Sequence, residues 1–95
     1  MESIIVTRHA GTVAWLRARG IEGEVIAHAT PEDVMGRVVY GVLPMHLAAE
    51  ADQVWVIDLP GLKPEDRGRD LTPEEMDSAG ATLAGYWVSR IERAK

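Results

Sequence analysis

Four short runs of apolar and β-branched residues, separated by segments of helical pattern, constrain the fold of this chain more than any other feature. They lie at Ser3–Thr7, Glu24–His28, Arg37–Val42 and Gln53–Leu59. Runs of this length and composition between turn residues predict strands. Because these strands alternate with helical segments, we expect a mostly parallel sheet. Gln53–Leu59 is apolar on both faces, which predicts an interior strand.

The segments between these strands carry start and stop signals for helices. Thr12–Arg19 has apolar residues at helical spacing, and Gly20 follows where that helix should end. Thr30 is placed to cap a helix of about one turn, which Gly36 ends. Pro44–Ala51 has a proline at its first position, as many helices do.

The clearest helix start comes late in the chain. Thr72-Pro73-Glu74-Glu75 combines an N-cap threonine, a proline at the first helical position and the glutamate of a capping box. An apolar stripe follows at Met76, Leu83, Trp87 and Ile91. Together these signals predict a helix that reaches about Arg93.

The length of the chain limits it to one domain. A chain of 95 residues is too short for two domains. We therefore expect a single Rossmann-like domain over residues 1–95, an α/β fold with a mostly parallel four-stranded sheet and about three helices. The Ala29–Gly36 connection is short for a parallel crossover, so one strand pair could be antiparallel.

Composition excludes several classes of function. The chain has no cysteine, so it offers neither disulfides nor thiolate metal ligands. Its three histidines do not share the i, i+4 spacing of a helical metal site, and we expect neither a metal nor another cofactor. The net charge of −5 argues against a surface for long nucleic acids. The sequence has neither a signal-peptide pattern nor a run of the roughly 20 apolar residues that a membrane span needs, so we expect a cytoplasmic protein.

The candidate site lies at the carboxyl ends of the predicted strands, where ligands bind in open parallel sheets. Three segments meet this edge: 7–12, 41–46, and 58–60 with the loop that carries Arg67 and Arg69. Helix N-termini and arginines together favour a phosphate-bearing ligand. The candidate ligand contacts are Thr7, Arg8, His9, Gly11, Thr12, Leu43, Pro44, His46, Asp58, Arg67 and Arg69.

Each candidate also has an ordinary structural interpretation. Arg8 could form a surface ion pair, and His46 could simply be solvated. Arg67 and Arg69 lie among acidic residues, so they could belong to a solvated charged loop. Trp15, Trp55 and Trp87 fit the core or an interface better than base-stacking positions.

These same segments resemble a known family. The resemblance is carried by Val6-Thr7-Arg8-His9-Ala10-Gly11 with Trp15, by Gly41-Val42-Leu43-Pro44 with Leu47-Ala48-Ala49-Glu50, by Asp58-Leu59-Pro60, and by Arg67-Gly68-Arg69-Asp70-Leu71-Thr72. In order and spacing they resemble a small CRISPR-associated family of the Csx series, the one numbered sixteen, which is found with type III systems. The resemblance covers nearly the whole chain. His46 departs from it, because relatives often carry asparagine there.

The resemblance implies a minimal relative of the Rossmann-like CARF domains that bind cyclic oligoadenylate, the messenger of type III systems. It further implies a ring nuclease that cleaves this messenger, most naturally the cyclic tetra-adenylate, by attack of a 2′-OH and without a metal. Arg8, His9 and Arg67 are then the predicted catalytic residues, with arginines neutralising the phosphorane charge and a histidine moving protons. A two-fold homodimer would match the symmetry of the ring.

Two other functions remain open on the sequence alone. A non-catalytic module that only binds the messenger would have the same fold and pocket. A histidine phosphatase also begins with a strand followed by Arg-His, as in Arg8-His9 here. Ala10, however, stands where that motif has glycine, and the chain is short for that fold.

Overall fold

The computed structural model describes residues 3–94, within which five strands form one sheet. The strands are β1 (Ser3–Val6), β2 (Glu24–Ile26), β3 (Val38–Tyr40), β4 (Gln53–Asp58) and β5 (Thr82–Tyr86). The helices are α1 (Ala10–Ala18), α2 (Pro31–Val34), α3 (Met45–Ala48) and α4 (Pro73–Ser78), with a 3₁₀ turn at Pro64–Asp66. The predicted α/β class with a mostly parallel, Rossmann-like sheet is confirmed.

The strand order is β2-β1-β3-β4-β5, and the first four strands are parallel. Both β2 and β3 pair with β1, one on each side, so the short α2 crossover only has to pass over one strand. The Ala29–Gly36 connection therefore joins parallel strands, and the antiparallel pair is β4 with β5, a strand that the sequence did not predict.

The prediction of a long last helix is wrong. Helix α4 ends at Ser78, and Gly80 follows with a φ of 79°, a left-handed conformation that glycine adopts at helix ends. The next residues form β5, which adds the fifth strand and pairs with β4. Leu83 packs against the sheet core, whereas Trp87 and Ile91 are 84% and 99% exposed.

The helices cover the two faces of the sheet in pairs. Ile5 packs with Trp15, Leu16 and Met76, which places α1 and α4 on one face. On the opposite face, a second core contains Ile4, Val34, Val39 and Leu47, under α2 and α3. Ile4 and Ile5 belong to different cores because successive side chains of a strand point to opposite faces.

A tryptophan links the two helices of the first face. The Trp15 indole Nε1 donates a hydrogen bond to Asp77 Oδ1 at 2.8 Å, and the Arg19 guanidinium bonds the same oxygen at 3.0 Å. The Arg19 guanidinium carbon also lies 3.4 Å from the centroid of the Trp15 ring. The hydrogen bond from Trp15 and that from Arg19 lower the pKa of Asp77. Trp15 is therefore a core residue, as the sequence indicated.

Between residues 3 and 94, no helix combines the length and the apolar character that crossing a membrane requires.

Candidate functional site

A cavity of about 390 Å³ opens at the carboxyl ends of β1, β3 and β4, on the face that α1 and α4 cover. This is the edge at which ligands bind in parallel α/β sheets, and the volume falls in the range of small-ligand sites. Its lining residues are Val6, Thr7, Arg8, His9, Thr12, Leu16, Ala27, Tyr40, Gly41, Val42, Trp55, Ile57, Leu59 and Met76.

One wall of the cavity is aromatic. Tyr40 and Trp55 are paired neighbours on β3 and β4, and their rings stack with centroids 6.4 Å apart and planes at 22°. The Trp55 indole lies over Gly85 on the next strand, where a Cβ atom would stand only 2.8 Å from the ring. Glycine at position 85 therefore lets the indole lie flat against the sheet. Such a wall suits a planar ligand group.

The mouth of the cavity is polar and follows directly from the end of β1. The Thr7 hydroxyl accepts a hydrogen bond from the His9 N–H at 3.1 Å, which fixes the turn into α1. The Arg8 guanidinium lies 3.0 Å from His28 Nε2. In that contact the imidazole nitrogen must accept, because an arginine has only donors. Arg8 is exposed, so its guanidinium is also accessible from solvent.

His9 occupies the N-cap position of α1, although its side chain makes no capping hydrogen bond. Asp70 caps the helix instead, because its Oδ1 atom accepts a hydrogen bond from the Gly11 N–H at 3.4 Å. The same oxygen lies 3.7 Å from His9 Nδ1. Gly11 does not line the cavity. A Cβ atom at that position would overlap the carbonyl oxygen of Leu71, so the absence of a side chain is what lets residues 70 and 71 lie against α1.

Several predicted ligand contacts lie outside the cavity. Leu43 packs in the core under α2 and α3, and Pro44 caps α3. His46 lies on α3 and lines a separate depression with Met35 and Leu47, across the sheet from α1. Asp58 is exposed at the end of β4 and does not line the cavity.

The two loop arginines differ from each other. Arg67 is exposed and outside the cavity. Arg69 is held by two carboxylates, with Nη2 at 2.7 Å from Glu75 Oε2 and 3.0 Å from Asp66 Oδ1. These bonds raise the pKa of Arg69 above its usual value. The hydrogen bond from Arg69, followed by that from the Thr72 N–H, lowers the pKa of Glu75 to about 2. Arg69 thus pins the loop to the start of α4.

The structure brings together four of the predicted contacts, Thr7, Arg8, His9 and Thr12. Sequence reasoning missed Tyr40 as part of the site and assigned Trp55 to the core or an interface. Tyr40 and Trp55 are paired residues on β3 and β4, and this pairing can be recognised only once the strand register is known. His28 was also missed as the partner of Arg8.

The cavity combines polar groups at its mouth with an aromatic wall. It offers a guanidinium, an imidazole and two hydroxyls at its mouth and an aromatic wall within. Within residues 3–94, no cluster of three or more His, Asp or Glu side chains is arranged to hold a metal ion.

Comparison with known proteins identifies the family. No curated protein and no solved structure matches the chain. The family described as "Putative CRISPR-associated protein (Cas_VVA1548)" matches residues 4–89. That match runs from β1 through β5 and includes the whole lining of the cavity. The chain therefore belongs to this family of CRISPR-associated proteins.

Proposed function

We propose that the cavity binds one adenylate unit of a cyclic oligoadenylate, most naturally the tetra-adenylate, and that the protein cleaves it and so switches off type III CRISPR signalling. The observation that carries the proposal is the placement of Arg8 and His9 at the mouth of a cavity whose wall is Tyr40 and Trp55. Arg8 and His9 suit a phosphodiester, and Tyr40 and Trp55 suit a base. The resemblance to the Csx family numbered sixteen supports the choice of messenger.

Binding follows from this division of the cavity. An adenine would stack on the ring of Tyr40 or Trp55, where a base–aromatic contact contributes about 1–3 kcal/mol. The phosphodiester would lie at the mouth, where Arg8 leaves His28 and donates to its oxygens. The exchange replaces a hydrogen bond to a neutral acceptor by one to an anion, which is roughly twice as strong.

Cleavage needs only side chains at the mouth and water. The ribose 2′-OH attacks the neighbouring phosphorus, and the bond from phosphorus to the 5′-oxygen of the next nucleotide breaks. The products carry a 2′,3′-cyclic phosphate and a 5′-OH. His9 takes the proton of the attacking hydroxyl, and water protonates the departing oxygen. Arg8 neutralises the charge that grows on the non-bridging oxygens, which is the usual role of a fixed cation in phosphoryl transfer.

Asp70 supports His9 in this scheme. Its carboxylate is 3.7 Å from His9 Nδ1, and a small rotation of either side chain closes a hydrogen bond. Accepting from Nδ1–H leaves the lone pair on Nε2, the nitrogen that a general base needs to present to the substrate. Asp70 is thus a positioning residue for His9.

The proposal includes a two-fold homodimer. A cavity of about 390 Å³ accommodates about one nucleotide, whereas the ring contains several. A second copy related by a two-fold axis would present Arg8 and His9 again, to the opposite side of the ring. Val42 and Met45 lie at the carboxyl edge of the sheet beside the mouth and are each 77% exposed. Both offer apolar surface to such a contact.

A messenger-binding module without catalysis is the second candidate. It is favoured by the position of Arg67, since the structure brings only two of the three predicted catalytic residues, Arg8 and His9, to the cavity. Binding and cleavage differ in their products, so one experiment separates them.

The test is incubation of the purified protein with cyclic tri-, tetra- and hexa-adenylate, with and without EDTA, followed by chromatography and mass spectrometry. We expect linear products ending in a 2′,3′-cyclic phosphate from the tetra-adenylate, at the same rate in EDTA. His9→Ala should lower the rate about 10²–10⁴-fold while leaving binding intact. If the ring binds but stays intact, the non-catalytic module is correct. If the ring is neither bound nor cleaved, the proposal is refuted.

A further inference from the structure

A second, smaller cleft of about 190 Å³ adjoins the cavity and shares Trp55 with it. Its lining is Gln53, Trp55, Gly85, Tyr86 and Trp87. Tyr86 is 51% exposed and Trp87 is 84% exposed, whereas Trp15 is buried. The cleft therefore presents two exposed aromatic rings to solvent.

The cleft also has a fixed polar group. The Trp55 indole Nε1 donates to Gln53 Oε1 at 2.9 Å. Because an indole N–H can only donate, this contact fixes the orientation of the Gln53 amide, with its oxygen towards Trp55. The Gln53 NH₂ group then faces away from the indole as a double donor at the cleft.

We propose that this cleft is a second nucleobase subsite, which takes the purine next to the one in the main cavity. The inference rests on the proposed function, because it needs a ligand with two linked nucleotides. Trp87 supplies an exposed ring on which a base can stack. The Gln53 NH₂ donors match the ring nitrogens of a purine, which are acceptors. Trp55 lines both subsites, which places the two bases next to each other.

The subsite predicts that a dinucleotide binds better than a mononucleotide. We would measure the affinities of AMP and of the linear dinucleotide pApA by calorimetry, which needs no cleavage. For the wild-type protein we expect pApA to bind about tenfold more tightly than AMP, the gain from one additional stacked base. Trp87→Ala should abolish this gain and leave the affinity for AMP unchanged, since Trp87 does not line the main cavity.

Two further variants sharpen the test. Ile91→Ala is the matched control, because Ile91 is an exposed apolar residue of the same C-terminal segment but lies outside the cleft. It should keep the tenfold preference. Gln53→Glu keeps the acceptor for Trp55 but removes the two donors, so it should reduce the gain for pApA. The affinity of that variant for AMP measures the effect of its added charge.

The possible failures are distinguishable. If AMP and pApA both bind wild-type protein with the same affinity, the second subsite is refuted and the main cavity stands. If neither binds, and cyclic tetra-adenylate does not bind either, the proposed function is refuted and the subsite with it. If Trp87→Ala turns a dimer into a monomer in sedimentation without changing the ratio of the two affinities, Trp87 belongs to an interface between copies, and the subsite is again refuted.

Discussion

Gly11→Ala tests the contact on which the site geometry depends most. In α1, a helix of nine residues, Gly11 is in the first turn, and alanine is normally preferred over glycine there by about 1 kcal/mol. Here the added Cβ atom would overlap the Leu71 carbonyl oxygen and stand 2.9 Å from its carbonyl carbon. Backbone atoms cannot rotate aside as a side chain would.

The expected magnitude follows from how firmly the opposing segment is held. Arg69 is bonded to Asp66 and Glu75, and the Thr72 capping box fixes the next turn, so residues 69–75 have little freedom to retreat. We therefore take the upper end of the cost of overpacking, about 3 kcal/mol. After the gain in helix propensity, the net loss of unfolding free energy is about 2 kcal/mol. For a domain of this size that lowers Tm by roughly 8–16 °C.

Thermal and urea denaturation measure this loss. Ala14→Gly is the matched control, since Ala14 is an exposed residue in the same helix and its change isolates the propensity term, about 1 kcal/mol in the destabilising direction. In addition, Gly11→Ala should slow cleavage, because a shift of residues 70 and 71 moves Asp70 away from His9. A Gly11→Ala protein as stable as wild type, or more stable, would show that the loop does not lie against α1.

Three further predictions concern charge and assembly. Arg8→Ala should weaken binding of cyclic tetra-adenylate about ten- to a hundredfold in calorimetry, as loss of a charge-assisted contact does, whereas Arg67→Ala, outside the cavity, should keep wild-type affinity. The pKa of Glu75 is lowered from 4.5 to about 2, so its contribution to stability is present above pH 4.5 and is lost as the pH falls from 4.5 to about 2. Glu75→Gln should therefore have a lower free energy of unfolding at neutral pH. Measured by urea denaturation, that free energy should fall less between pH 4.5 and 2 than it does in the wild-type protein; an equal fall would refute the ion pair. Light scattering should give twice the 10.4 kDa of one chain when cyclic tetra-adenylate is bound, and a monomer mass would refute the shared ring.

The fold was predictable where the signals are local. The Thr30 and Thr72 caps were read from the sequence, and both form complete capping boxes. β5 was not predictable in this way. Leu83 and Trp87 fit a helix by their spacing of four, but they equally fit a strand, since residues 83, 85 and 87 alternate to one face. Gly80 settles the matter by ending α4, and pairing with β4 then stabilises the strand.

The site was predictable only as far as the chain order determines it. Thr7, Arg8 and His9 follow β1 directly, so any parallel sheet places them at its carboxyl edge. His46 also follows a strand, yet it lies across the sheet, because the side on which α3 packs is a property of the whole fold. Arg69 was expected at the ligand, but its two carboxylate partners are closer and hold it in the loop.

The contact between Asp70 and Gly11 is the hardest one to predict from the sequence, and it also links the stability of the fold to the position of His9. Asp70 and Gly11 are 59 positions apart, and no local pattern connects them. Their contact depends on a missing side chain in α1 and on a loop pinned by Arg69. Under the proposed function, Arg69 would act on the site through Asp70, because Asp66 and Glu75 hold its guanidinium in the loop. Its replacement should disturb His9 at a distance, and the effect on cleavage should exceed the effect on binding, because Arg8 remains in place at the mouth.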